Sequence, residues 1–261
     1  MNKKIIVSGF FILSSFVIAS NAFAQTGSPA SNLKDRSGQK RQELLTDRAD
    51  QEIERRITSL NNLITRIQAM KKISDSQKSA FLSQIQSEIT SLTNLKAKID
   101  ADTDPEILLT DKKSILTEYR VYWLFIPKFR IVASADRILE ISDDLSALVT
   151  KIQKLIDSAK QKNGKDISST NSIISEIQTK LIDAKTQAQN AIDTVSNLTP
   201  DGGDASKMSA NTQALQSARS MLKNALLDLN NVRFDIQKIR VILIGFRQIN
   251  KTVSSSASPI Y

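Results

Sequence analysis

The chain has 261 residues, 36 basic and 27 acidic side chains, a formal net charge of +9, and neither cysteine nor histidine. That composition excludes disulfides, thiol nucleophiles, imidazole bases and zinc sites with nitrogen or sulfur ligands. Only 7 glycines and 5 prolines, amid abundant Ser, Gln, Asn, Lys, Ile and Leu, point to long helices.

Residues 1–24 read as an export signal. Lys3 and Lys4 form a positive start, Ile5 to Ala19 an apolar core, and Ala22-Phe23-Ala24 a small-x-small cleavage site. An uncleaved anchor is the competing reading, but the apolar run is short for a bilayer span of about 20 residues. Cleavage removes Lys3 and Lys4 and lowers the net charge from +9 to +7. The expected location is therefore periplasmic, cell-surface or extracellular.

Residues 25–33 are rich in turn formers and predict a flexible lead-in. A first helix is expected over 34–72, with Ala49, Ile53, Ile57, Leu60, Ile64 and Ile67 alternating four and three apart, the coiled-coil spacing. Glu52 and Arg56 are placed for an i,i+4 pair. Ser74-Asp-Ser-Gln77 fits a capping box and opens a second helix over 75–100, with Leu82, Ile85, Ile89, Leu92 and Ile99 on its seam. The short turn between the two predicts an antiparallel pair.

Asp104-Pro105-Glu106 is a strong helix start: a cap, a proline at the first helical position and an acid at the positive end of the dipole. One long helix is expected from there to Lys162, kinked at Pro127 into segments 104–126 and 128–162. Its first half carries Leu108, Ile115, Tyr122 and Phe129 seven apart. Its second half carries Ile138, Ile141, Leu145, Leu148, Ile152, Leu155 and Ala159, and Asn163-Gly164 closes it. A fourth helix follows over 169–198, with Ala184, Ala188 and Ala191 on the seam allowing close approach of a neighbour. Thr199-Pro-Asp-Gly-Gly-Asp204 is a loop. The last helix, 206–251, has a regular seam from Leu215 to Phe246, and the tail 252–261 reads as disordered.

Each seam must be buried, at about 1.5–3 kcal/mol per large side chain. The economical solution is an all-α, elongated antiparallel coiled-coil bundle of five long helices. Two three-helix bundles, 34–127 and 128–251, share the long central helix. The layout resembles that of spectrin repeats. The alternative is a sharper bend at Pro127 that folds the halves into one bundle.

Pro127 removes a donor and crowds the carbonyl of Trp123. In one reading Trp123, Phe125, Ile126 and Phe129 fill a buried joint. In the other, Tyr119, Arg120, Tyr122, Trp123, Lys128, Phe129 and Arg130 form an exposed aromatic-basic contact patch. The run Tyr119–Arg130 followed by Ala133-Ser-Ala-Asp-Arg137 is similar to a segment that recurs in uncharacterised exported α-helical proteins of small-genome bacteria. That resemblance implies export and a helical fold and carries no activity.

Arg219, Arg233, Arg240 and Arg247 form a basic stripe on the last helix. It reads either as the solvated flank of a coiled coil or as a membrane-surface face. Val241–Phe246 is apolar all round, either a well-buried turn or a tip that meets membrane. Gly202-Gly203 stands outside any phosphate-loop or dinucleotide motif, and Asp143-Asp144 reads as a solvated helix face. No catalytic residue, cofactor site or metal site is assigned, and no nucleic-acid binding is expected. Two functions follow as expectations. The first is a non-catalytic coiled-coil protein acting by surface contact at the cell envelope, as spacer, adhesin-like module or adaptor; its partner would be another envelope or surface protein, or a second copy. The second is a membrane-active protein of the α-helical pore-former type that uses 119–130 and 236–249 on an anionic membrane surface.

Overall fold

The structure, a computed structural model, describes the backbone of residues 29–117, 119–163 and 168–255, and the side chains of 38–117, 119–158 and 169–245 with Arg36 and Lys160. The expected export signal, Gly164 and the last six residues of the expected tail lie outside the described residues. So does the side chain of Arg247.

The described residues are helical throughout, with no strand among them. Six α-helices follow one another: α1 Pro29–Gln68, α2 Asp75–Ala101, α3 Pro105–Thr117, α4 Ile126–Asn163, α5 Ser168–Ser196 and α6 Ala205–Ser255. A π-turn, Val121–Phe125, leads directly into α4. The chain parts into two compact units between Arg41 and Gln42, within α1. All the packing described below belongs to the second.

The ends of the helices follow local chemistry. Ser74 caps α2 in a full capping box with Gln77. Asp104 accepts the amide of Glu106 at 2.8 Å through its side chain and that of Leu108 at 3.0 Å through its carbonyl, so Pro105 opens α3 where its missing N–H is not needed. α1 begins at Pro29, inside the stretch expected as a flexible lead-in, with proline again at the first helical position. It ends at Gln68, earlier than expected, because Asp136 of α4 takes the amides of Lys71, Lys72 and Ile73 at 3.1, 2.6 and 3.1 Å. That carboxylate draws the chain out of helical geometry and caps the turn.

α1 and α2 run antiparallel, tied by Gln42 Nε2 to the carbonyl of Asp102 at 3.1 Å and by Asp50 to Lys96 at 2.6 Å. α2 and α3 are joined by Lys98–Asp111 at 2.8 Å. α4 packs on both α5 and α6, and α5 and α6 share the most extensive packing of the three pairs. That packing follows from the fully buried alanines 184, 188 and 191 of α5 and 218 and 225 of α6, which let the backbones near each other. The tip of the α1–α2 pair overlaps α4 well past Pro127: Lys71 reaches Glu140 at 2.7 Å and Lys72 reaches Asp143 at 2.6 Å, while Asp143 also holds Lys185 of α5 at 2.7 Å.

Two expectations are corrected. The central helix is not continuous, and its interruption is not at Pro127. The break lies at Tyr119–Arg120, where Arg120 adopts left-handed backbone angles, φ 46 and ψ 29. Pro127 sits in the first turn of α4, where a proline is tolerated. The outer half of the α4 seam is also shifted by one residue. Val149 and Ile156 are buried, while Leu148 and Leu155 point outward.

Candidate contact surface

The segment 119–130 is sorted by the break that precedes it. The carbonyl of Arg120 accepts the amides of Trp123 at 3.1 Å and Leu124 at 2.7 Å, and Ile126 donates to Val121 to close the π-turn. A left-handed angle on a non-glycine residue costs on the order of 1 kcal/mol. Tertiary contacts hold it. The Arg120 guanidinium meets the buried carboxylate of Asp201 at 3.1 Å and reaches Met208 Sδ at 3.6 Å. Asp201 is itself fixed by the amide of Gly203 at 2.9 Å. Gly202 and Gly203 take φ of 62 and 89, angles that a side chain would strain.

Beyond the break, Val121, Leu124, Phe125 and Phe129 turn inward. Phe129 meets Phe81 of α2 edge to face at 5.4 Å. Tyr122 and Trp123 are left outside. Trp123 is 74% exposed and Tyr122 44%; the Tyr122 ring lies 5.0 Å beneath the guanidinium of Arg56. Arg56 is in turn held by Glu52 at 2.5 Å, the pair expected from their spacing.

Lys128 is fully buried, against the expectation of an exposed cation. Its Nζ donates to Gln84 Oε1 of α2 at 2.6 Å and to the carbonyls of Ser196 and Leu198 at 2.8 and 3.0 Å. It also lies over the rings of Phe81 and Phe129 at 5.7 and 5.4 Å. Three acceptors match the three N–H bonds of an ammonium, and two of them are carbonyls at the negative end of α5. Burial still pushes the ammonium down to about 8 from its ordinary 10.5. Lys128 thus clasps α2, α4 and α5 together and offers nothing to a partner.

The expected patch therefore comes apart. Trp123, Tyr122 and Arg130 are exposed; Tyr119 and Arg120 are half-buried; Lys128 and Phe129 are core. Tyr119 donates to the carbonyl of Ser91 at 3.4 Å. The basic stripe is exposed at Arg219, Arg233 and Arg240. Val241 and Ile244 are exposed, while Ile242 and Leu243 are half-buried.

Asp136, Asp201 and Gln84 carry the joint, and sequence spacing does not single them out because their partners across it lie 44 to 112 residues away. Glu88 is a further buried polar side chain. It lies buried on α2 with Oε1 unpartnered, and burial pushes its carboxyl up to about 8. Among the described residues no group of three or more acids is placed to hold a metal ion, and no helix is long and apolar enough to cross a membrane. A groove of about 460 Å³ between α2 and α3 is lined by Asn94, Lys98, Thr110, Asp111 and Ser114; its one carboxylate is already paired with Lys98.

No family model matches the chain, and neither does any curated protein or solved structure.

Proposed function

We propose that this chain is an exported, non-catalytic contact protein of the cell envelope, a spacer or adaptor that engages a protein partner through the Trp123 turn. One observation carries the reading. A left-handed arginine and a π-turn, both anchored from within, leave a single indole three-quarters exposed beside a half-exposed tyrosine. π-Turns and left-handed non-glycine residues gather at functional sites, where surrounding contacts outweigh their strain. Tryptophan, tyrosine and arginine are also the side chains that dominate protein interfaces. An exposed indole on a rigid turn binds without first having to be ordered.

The helices supply the spacer. We propose that they form two three-helix bundles in the manner of spectrin repeats, α1–α3 and α4–α6. The ties along α1–α2 and α2–α3 and the close packing of α4, α5 and α6 support this layout. On this reading the two bundles meet at the π-turn and the Lys128 clasp.

The test is photo-crosslinking in intact cells that make the protein. A benzophenone amino acid at position 123 should yield a discrete protein adduct, and the same probe at exposed Leu155 should not. Absence of any adduct at 123, with the chain folded and exported, removes the reading.

A further inference from the structure

The outward side of α6 is apolar and cationic at once. Leu227, Phe234 and Val241, seven residues apart, are 52, 67 and 69% exposed. At that spacing they drift only about 20° per step and make one straight ridge along the helix. Arg219, Arg233 and Arg240 are exposed as well, and among the described residues none of the three is in an ion pair.

The only acids of α6, Asp228 and Asp235, lie on its other flank, toward α5. Asp235 is buried and joined to Lys180 at 2.9 Å and Lys238 at 2.8 Å. Asp228 is half-buried, close enough to Asp183 and Lys180 of α5 to feel both charges. The outward face is thus free of negative charge. Three large apolar side chains stand on it among unpaired guanidinium groups.

We infer that this face of α6 docks on an anionic lipid surface. A partner helix fits it less well. Such a helix needs apolar residues at two positions per heptad, and Asn230 and Gln237 occupy the second position here. Ile244, three residues past Val241, is the one exposed apolar residue at that position, so the ridge is a crest on one helix with no continuous second apolar row to make the holes that a rigid helix would fill. A headgroup layer needs no holes. Phe234, Val241 and Leu227 enter it, while Arg233 and Arg240 meet phosphates at the same depth. The inference does not depend on the Trp123 contact. The Arg120–Met208 contact and Phe234 are separated by about 39 Å of α6 at 1.5 Å per residue.

The experiment is co-sedimentation of the full chain with phosphatidylcholine vesicles, with and without phosphatidylglycerol at about 30 mol%. The chain should bind the anionic vesicles, release in high salt, and ignore phosphatidylcholine alone. Arg233→Glu with Arg240→Glu should weaken binding at least about tenfold, since each surface cation is worth roughly fivefold. Phe234→Ser with Val241→Ser should weaken it by a similar factor. Leu155→Ser on α4 and Trp123→Ala should leave it unchanged. All the substituted side chains are exposed, and circular dichroism checks that each variant is folded.

Three results overturn the inference. One is a folded chain that does not bind anionic vesicles. Another is binding indifferent to both α6 variants. The third is capture of a synthetic acidic amphipathic helix in place of vesicles, which would assign the ridge to a protein. The single tryptophan separates this surface from the other: its emission should stay water-like on the vesicles, and a blue shift would move the contact to the Trp123 turn.

Discussion

Replacing Lys128 by methionine keeps the aliphatic stem and removes the ammonium. The side chain is fully buried and donates to three acceptors at 2.6, 2.8 and 3.0 Å. The Ser196 carbonyl retains Gln84 Nε2 at 3.2 Å, so the Gln84 Oε1 and Leu198 acceptors lose most. Stranding buried acceptors costs about 1–3 kcal/mol each, and relief of the buried charge offsets part of that. A net loss of about 2–4 kcal/mol at neutral pH follows. The pH dependence adds a signature that simple loss of packing lacks. Burial lowers the Lys128 ammonium to about 8 in the fold, against 10.5 in the unfolded chain. Between those values the unfolded state binds more protons, so wild-type stability rises with pH through that window. Methionine lacks this gain. Its deficit should be flat below pH 8 and grow toward pH 10 by at most about 3 kcal/mol. Urea titrations of both proteins from pH 7 to pH 10, followed by circular dichroism, measure it. A deficit under about 1 kcal/mol at pH 7, or one that shrinks above pH 8, refutes the clasp.

Glu88→Gln should behave in the opposite sense. Its folded carboxyl is raised from 4.5 to about 8, so wild-type stability is lost as pH rises through that window, and the variant's advantage should grow from near zero at pH 4.5 to about 2–4 kcal/mol at pH 8; equal melting shifts at both pH values would count against it. Asp136→Ala leaves three amides of the α1–α2 turn without their acceptor, and should lower stability by about 2–4 kcal/mol in urea titrations. Trp123→Ala should change stability by less than about 0.5 kcal/mol, because the indole is 74% exposed; a loss of several kcal/mol would show it to be a core residue.

Much of the helical pattern was legible in the residues. The Ser74 capping box, the Asp104-Pro105 start and the alanine seams of α5 and α6 act through neighbours one to four positions away, within reach of spacing rules. The break at Arg120 was not legible. Tyr119-Arg-Val-Tyr contains no glycine or proline, and the left-handed angle is held by an ion pair to Asp201, 81 residues on. Reading Leu108, Ile115, Tyr122 and Phe129 as one stripe assumed an unbroken helix. The π-turn changes the phase and leaves Tyr122 outside. The slip along α4 has another cause: Leu148-Val149 and Leu155-Ile156 are adjacent apolar pairs, and spacing alone does not choose between them. The burial of Lys128 is not legible either, because a lone lysine beside aromatic residues looks like a surface anchor until the fold brings Gln84 and the end of α5 to it. Phe234 carries its own signal: it lies off the seam of Leu229, Val232 and Ile236, and a large apolar residue there has nowhere to go but outward.

Trp123 stands in solvent on a turn whose Val121, Leu124 and Phe125 are buried. Acrylamide quenching of the chain's one tryptophan measures that directly. Water-like emission, quenched nearly as fast as free indole, is expected in the folded protein and in Lys71→Ala alike. A blue-shifted emission shielded from quencher in the folded protein, and released only by urea, would place Trp123 in the core and contradict that exposure.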